Sequence, residues 1–130
     1  MWIVFLLFLI FPNSIYDEQI GTQLIMWDVG QGQWVTINTY PYCLHFDAGG
    51  EYAPLKKIYK LCRQRKNIIF LSHGDWDHIN KLSFFKKRNL DYCLFNYPLE
   101  NLNLYKKNFL NSFIFCKETV IKNLKIFTPS

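Results

Sequence analysis

At 130 residues the chain has room for one small domain and not for two. Half of its residues are hydrophobic and 18% are aromatic, which excludes a disordered or low-complexity chain and supplies material for a packed core. The formal charge of +5 is unevenly placed, because no Lys or Arg precedes Lys56 while Asp17, Glu18, Asp28, Asp47 and Glu51 all do; the cationic second half suits nucleic acid, phosphate esters or an anionic membrane surface, and equally an ordinary solvated face.

The chain opens on a wholly apolar run, residues 2–11, that ends at Pro12-Asn13-Ser14. This is well short of the roughly 20 residues that a helix needs to cross a bilayer. No basic residue precedes the run and no small-x-small cleavage site follows it, so it departs from an ordinary signal peptide too. A signal-type segment, part of a transmembrane helix and a buried strand all fit. The expectation is membrane association through residues 2–11 and a membrane-associated or exported location on the extracytoplasmic face. Residues 1–20 are set apart as a leader, and 21–130 as the folded domain.

Residues 23–29 and 34–40 are rich in Trp, Val, Ile and Thr and flank Gly30-Gln31-Gly32, a pattern that predicts two strands joined through a tight glycine turn. Pro41 stops the second strand. From 42 to 47 the residues Tyr42, Leu44 and Phe46 alternate with Cys43, His45 and Asp47, the period of a strand with unlike faces, which Ala48-Gly49-Gly50 ends. After Pro54 the spacing turns helical: Leu55, Ile58, Tyr59 and Cys62 share one side, with Lys56, Lys57, Lys60, Arg63 and Arg65 on the other. Residues 68–71 are uninterrupted and apolar, as in a strand covered on both faces. Beyond them the expectations are a short helix over 79–87, a strand over 92–95, a helix over 102–109, and three strands over 113–116, 119–121 and 124–128. Cys43, Cys62, Cys93 and Cys116 form no C-x-x-C pair and sit among apolar neighbours. Their default is a buried thiol, although an even count also allows two disulfides in an oxidising compartment.

The densest chemistry lies in Leu71-Ser72-His73-Gly74-Asp75-Trp76-Asp77-His78-Ile79, directly after the apolar strand. Imidazole nitrogens and carboxylate oxygens gathered on one turn suit zinc or a similar divalent ion, and the end of a strand is where open sheets place their sites. A plainer alternative is a polar turn in which Asp77 caps the following helix at Ile79 and Asn80. That accounts for one aspartate but not for the other three donors. Trp76 can stand exposed beside such a site or fold back as an anchor.

Three segments, Met26-Trp27-Asp28-Val29-Gly30-Gln31-Gly32, His45-Phe46-Asp47-Ala48-Gly49-Gly50 and Ser72-His73-Gly74-Asp75-Trp76-Asp77-His78-Ile79, resemble in order and spacing the first half of the metallo-β-lactamase fold. The Asp-Val-Gly-Gln-Gly turn is similar, more narrowly, to the carboxy-terminal domain of ComEC-type DNA-uptake competence proteins. The resemblance implies an α/β (α+β) architecture, half of an αββα sandwich with a mixed sheet and flanking helices. It implies metal ligands at His73, Asp75, Asp77 and His78, with Asp77 also orienting the nucleophile. Asp75 stands where the wider family's H-x-H-x-D-H motif has its second histidine, a departure that the ComEC-type branch shares. A carboxylate binds zinc at about 2.0–2.2 Å, but as a harder ligand it shifts preference toward manganese or magnesium.

By the same resemblance Asp47 accepts a proton from a ligating ring and fixes its tautomer, while Asp28 and Gln31 line the rim. The implied cofactor is a divalent metal, zinc or manganese, as one or two ions if the site is completed. The family's further His, bridging Asp and last His have no counterpart among these residues. The expectations that follow are a metal-dependent hydrolase domain acting on DNA or another phosphodiester, or a truncated remnant or half of a split protein that serves as a membrane-tethered binding module and pairs with a complementary second-half chain.

Overall fold

The computed structural model describes residues 21–95 and 100–124. Five strands form a single sheet in the order β1-β2-β3-β4-β5: β1 (Gln23–Met26), β2 (Val35–Thr39), β3 (Tyr42–Phe46), β4 (Lys66–Phe70) and β5 (Tyr92–Leu94). β1, β2 and β3 are an antiparallel meander, and β4 and β5 add in parallel. The change of direction is dictated by connection length. The turn at Tyr40 and Pro41 can only return the chain antiparallel, whereas the parallel step from β3 to β4 needs a crossover, which α1 (Leu55–Cys62) supplies. α2 (Trp76–Ile79) and α3 (Ser83–Lys87) connect β4 to β5, and α4 (Leu104–Asn111) and α5 (Glu118–Leu124) follow. This mixed sheet with flanking helices is the expected α+β class.

The helical spacing after Pro54 yields α1 as read: Ile58 and Cys62 are buried, and Lys56, Lys57 and Lys60 face outward. Of the helix expected over 79–87 only α3, from Ser83, forms beyond Ile79, the last residue of the separate short helix α2. α4 begins two residues later than the expected 102, where the Asn103 side chain caps the amide of Lys106 at 2.8 Å. The expected strands over 113–116 and 119–121 are corrected. Only Phe115 makes an isolated bridge, to Leu94, and residues 119–121 lie in α5. Thr119, Val120 and Ile121 are β-branched or β-favouring, but Val120 and Ile121 pack beside the Cys93–Cys116 bridge, and that tertiary contact outweighs local propensity. The leader over 1–20 and the strand over 124–128 beyond Leu124 lie outside the described residues.

The sheet has two unlike faces. One is buried under the helices, where Trp34, Ile69 and Leu71 pack with Ile58, Ile79, Leu82, Phe84 and Phe85. The other carries a smaller cluster of Ile68, Cys93 and Cys116 against Val120, Ile121 and Leu124. Beyond that cluster, among the described residues, the second face leaves Leu24 68% and Met26 77% exposed. β3 inverts the usual expectation for unlike faces: its polar set, Cys43, His45 and the adjoining Asp47, points into the helix-covered core, while Tyr42, Leu44 and Phe46 are partly open.

All four cysteines are paired, Cys43 with Cys62 and Cys93 with Cys116, which corrects the expectation of free buried thiols. The first bridge ties β3 to the end of α1, and the second ties β5 to the segment before α5. Neither neighbour relation follows from local sequence, because each requires the crossover geometry to bring the partners together.

Candidate metal centre

The three segments singled out in the sequence meet at one end of the sheet. The amide of Gln33 donates to the carbonyl of Asp77 at 3.2 Å, Gly49 donates to Gln33 at 3.1 Å, and Ala48 donates to His78 at 2.8 Å. Asn80 completes the clasp, donating to the Gly50 carbonyl at 2.9 Å and accepting from the Gly50 amide at 3.0 Å. The glycines make this approach possible. Gly32 has φ +140°, and a Cβ on it would meet the Asp77 carbonyl and the Gly50 backbone; a Cβ on Gly49 would strike the same Asp77 carbonyl. Glycine placement, spread over three turns, lets the loop before β2, the loop after β3 and the start of α2 touch through backbone alone.

Asp47 is the pivot. It is 1% exposed and sits at φ 59°, a left-handed conformation that few non-glycine residues adopt and that aspartate tolerates better than most. Its carboxylate accepts from the Ser72 amide at 2.7 Å, the Ser72 hydroxyl at 2.6 Å and His78 Nδ1 at 2.8 Å. A carboxylate can only accept, so His78 carries a proton on Nδ1. Ser72 has spent its one hydrogen on Asp47 and therefore accepts at its contact with His73 Nδ1, 2.8 Å away. His73 thereby carries its own proton there. One buried carboxylate and one serine thus orient two imidazoles whose ring centroids lie 3.9 Å apart, each with a proton on Nδ1.

The carboxylates stand opposite the Nε2 atoms. Asp75 Oδ2 is 3.2 Å from His73 Nε2, and Asp77 Oδ2 is 3.8 Å from His78 Nε2. A proton on the ring or a cation between the two stabilises such an approach of nitrogen and carboxylate oxygen. Among the described residues, no three of these four side chains bring their ligand atoms within 4.8 Å of one another. The capping alternative finds no support, since α2 carries no side-chain cap at its N-terminus. Asp28 and Gln31 are both exposed; Asp28 Oδ1 accepts from the Tyr52 hydroxyl at 3.0 Å, a bond that raises the phenol's pKa, and from the Gly30 amide at 3.4 Å. Asp28 thus braces the glycine turn against Tyr52 and contacts none of the four donors.

Among the described residues, the group of three donors whose ligand atoms do lie within 4.8 Å of one another is a different one, Cys43, His45 and Cys62. The two cysteines form a disulfide, however. His45 is committed as well. Trp34 Nε1 can only donate, so His45 Nδ1 accepts from it at 3.1 Å, and Nε2 donates to Asn67 Oδ1 at 2.8 Å. Asn67 is oriented in turn by donating to the carbonyls of Cys62, Arg65 and Asp91. With no free lone pair and full burial, the ring is held neutral, its pKa lowered to about 4 by burial against the weaker opposing bond to Asn67. His45 is a packed side chain of the core.

Sequence reasoning did not pick out Ser72 or Asn67. Ser72 lay inside the quoted motif, and only the carboxylate behind it shows that its hydroxyl sets the His73 tautomer. Searches against family models, characterised proteins and solved structures find no match to this chain.

Proposed function

We propose that the chain is a metal-dependent hydrolase domain of the metallo-β-lactamase kind, similar to the ComEC-type branch and directed at phosphodiester bonds. The observation that carries the reading is the Asp47–Ser72 pair behind His73 and His78, which aims both Nε2 atoms at the rim where Asp75 and Asp77 stand. Such a support is costly to build and serves ligation better than packing: it buries a carboxylate, strains its backbone, and holds two imidazoles close together.

His73, Asp75, Asp77 and His78 would hold the ion, with manganese or zinc the candidates for a mixed nitrogen and carboxylate set. When bound, a divalent ion supplies Lewis acidity toward a phosphoryl oxygen and a water activated near neutral pH. The chain's own groups then do the following. Asp77 accepts a hydrogen bond from the attacking water and orients it; Asp47 holds the His78 proton at Nδ1; Ser72 holds the His73 proton at Nδ1. The Lys-rich second half favours an anionic substrate such as DNA. The two disulfides favour an oxidising, extracytoplasmic location.

Purified chain with manganese or zinc should hydrolyse bis(4-nitrophenyl) phosphate or single-stranded DNA, and His73→Ala should abolish the turnover. Equal rates for the two proteins would remove the proposal. One observation favours a second reading, a binding or structural module: the open apolar sheet face bearing Leu24, Met26 and Phe46. That reading expects no hydrolysis, together with self-association or partner dependence in light scattering that Met26→Lys relieves.

A further inference from the structure

The helix α4 approaches the metal turn closely, and what it brings there is aromatic and cationic. The Leu102 side chain, just before α4, packs against Gly74 so tightly that any Cβ on Gly74 would collide with it. One turn further on, Tyr105 lies 5.6 Å and Phe109 5.4 Å, ring to ring, from Trp76, and Lys106 Nζ lies 5.6 Å over the indole. Trp76 is the residue between Asp75 and Asp77. Its ring is braced by Phe109 yet stays 39% exposed, and Tyr105 is 70% exposed. Both rings are thus anchored on one side and open on the other, beside the carboxylates.

Exposed aromatic rings next to these carboxylates and imidazoles have a chemical consequence. A planar unpaired ring on the substrate can stack on them, and a lysine in reach can meet the attached phosphate. Lys106 now rests on the indole face, an exposed cation–π contact that a phosphate would readily replace. We propose that Trp76, Tyr105 and Lys106 form a subsite that holds a planar heteroaromatic ring carried on a phosphate ester, the chemistry of a nucleotide unit. On the hydrolase reading, on which this rests, these side chains form a specificity surface beside the same site. Duplexed bases are stacked on one another and cannot enter it, so the subsite selects single nucleotides or unpaired strands.

The test is binding to the full chain without added metal, so that it does not depend on turnover. Thymidine 5′-monophosphate and methyl phosphate, which share the phosphate and differ in the ring, are titrated by calorimetry. The expected result is that the nucleotide binds about tenfold or more tighter, and that Tyr105→Ala weakens it at least about fivefold while leaving methyl phosphate unchanged. Trp76→Leu, checked for folding by circular dichroism, should act in the same direction. Equal affinities for the two phosphates, or an unchanged nucleotide affinity in Tyr105→Ala, overturns the subsite. A separate manganese titration distinguishes the two ideas. A nucleotide preference without metal binding leaves the subsite standing and removes the hydrolase; metal binding without a preference does the reverse.

Discussion

Acidification should destabilise this fold through His45, and the size of the effect can be worked out. The ring is fully buried, and burial lowers its pKa from 6.5 to about 4 against the weaker opposing bond to Asn67. In the unfolded chain the same ring protonates near its ordinary value. Between those two pH values the unfolded state binds more protons than the native state, so stability falls as pH falls; it is complete above about 6.5 and the loss is finished below about 4. At about 1.4 kcal/mol for each tenfold difference, the whole effect is roughly 3 kcal/mol, of which about 2 kcal/mol is lost by pH 5. For a domain whose total stability is about 5–15 kcal/mol this is a large fraction.

The assay is urea unfolding with the disulfides intact, followed by tryptophan fluorescence, at about pH 7.5 and about pH 5. His45→Gln serves as the comparison, because an amide can accept from Trp34 and donate to Asn67 without titrating. Wild type should lose about 2 kcal/mol more than the variant between the two conditions. Parallel losses in both proteins, or an NMR titration that finds the His45 ring protonating near 6.5, would refute the reasoning.

Asp47→Asn retains a side chain that tolerates φ 59° but weakens the acceptor that fixes His78, so manganese affinity should fall about 10–100-fold by calorimetry; an unchanged affinity would mean that Asp47 serves packing alone. Gly49→Ala places a methyl group against the Asp77 carbonyl and should cost about 1–3 kcal/mol in chemical unfolding, with a neutral result contradicting the close approach of the two loops. The disulfides close sequence separations of 19 and 23 residues, so each should contribute about 3 kcal/mol. Reduction by a phosphine should therefore lower the urea midpoint sharply, and an unmoved midpoint would count against both bridges.

Much of the fold was legible from period and punctuation alone. Alternation over 42–47, helical spacing after Pro54 and the apolar run at 68–71 are local signals, and each produces the element that local physics favours, whereas the tight glycine turn expected at 30–32 is part of a longer loop between Met26 and Val35. The candidate donors were legible for the same reason, since His73, Asp75, Asp77 and His78 lie within six residues of one another. What failed was the stretch after residue 112, where short apolar runs fit strand and helix alike and the Cys93–Cys116 contact decides between them.

The chain's own order of residues was enough to set which turn carries nitrogen and oxygen donors, because proximity along a backbone needs no folding to exist. Tertiary structure alone decided their chemical state. Asp47 reaches His78 across 31 positions and Ser72 across 25, and only that long-range placement makes one carboxylate choose which nitrogen of each ring keeps its proton. The cysteine pairing and the neutral, buried His45 belong to the same class, because desolvation and bond formation depend on what the fold brings near and not on what the chain places next.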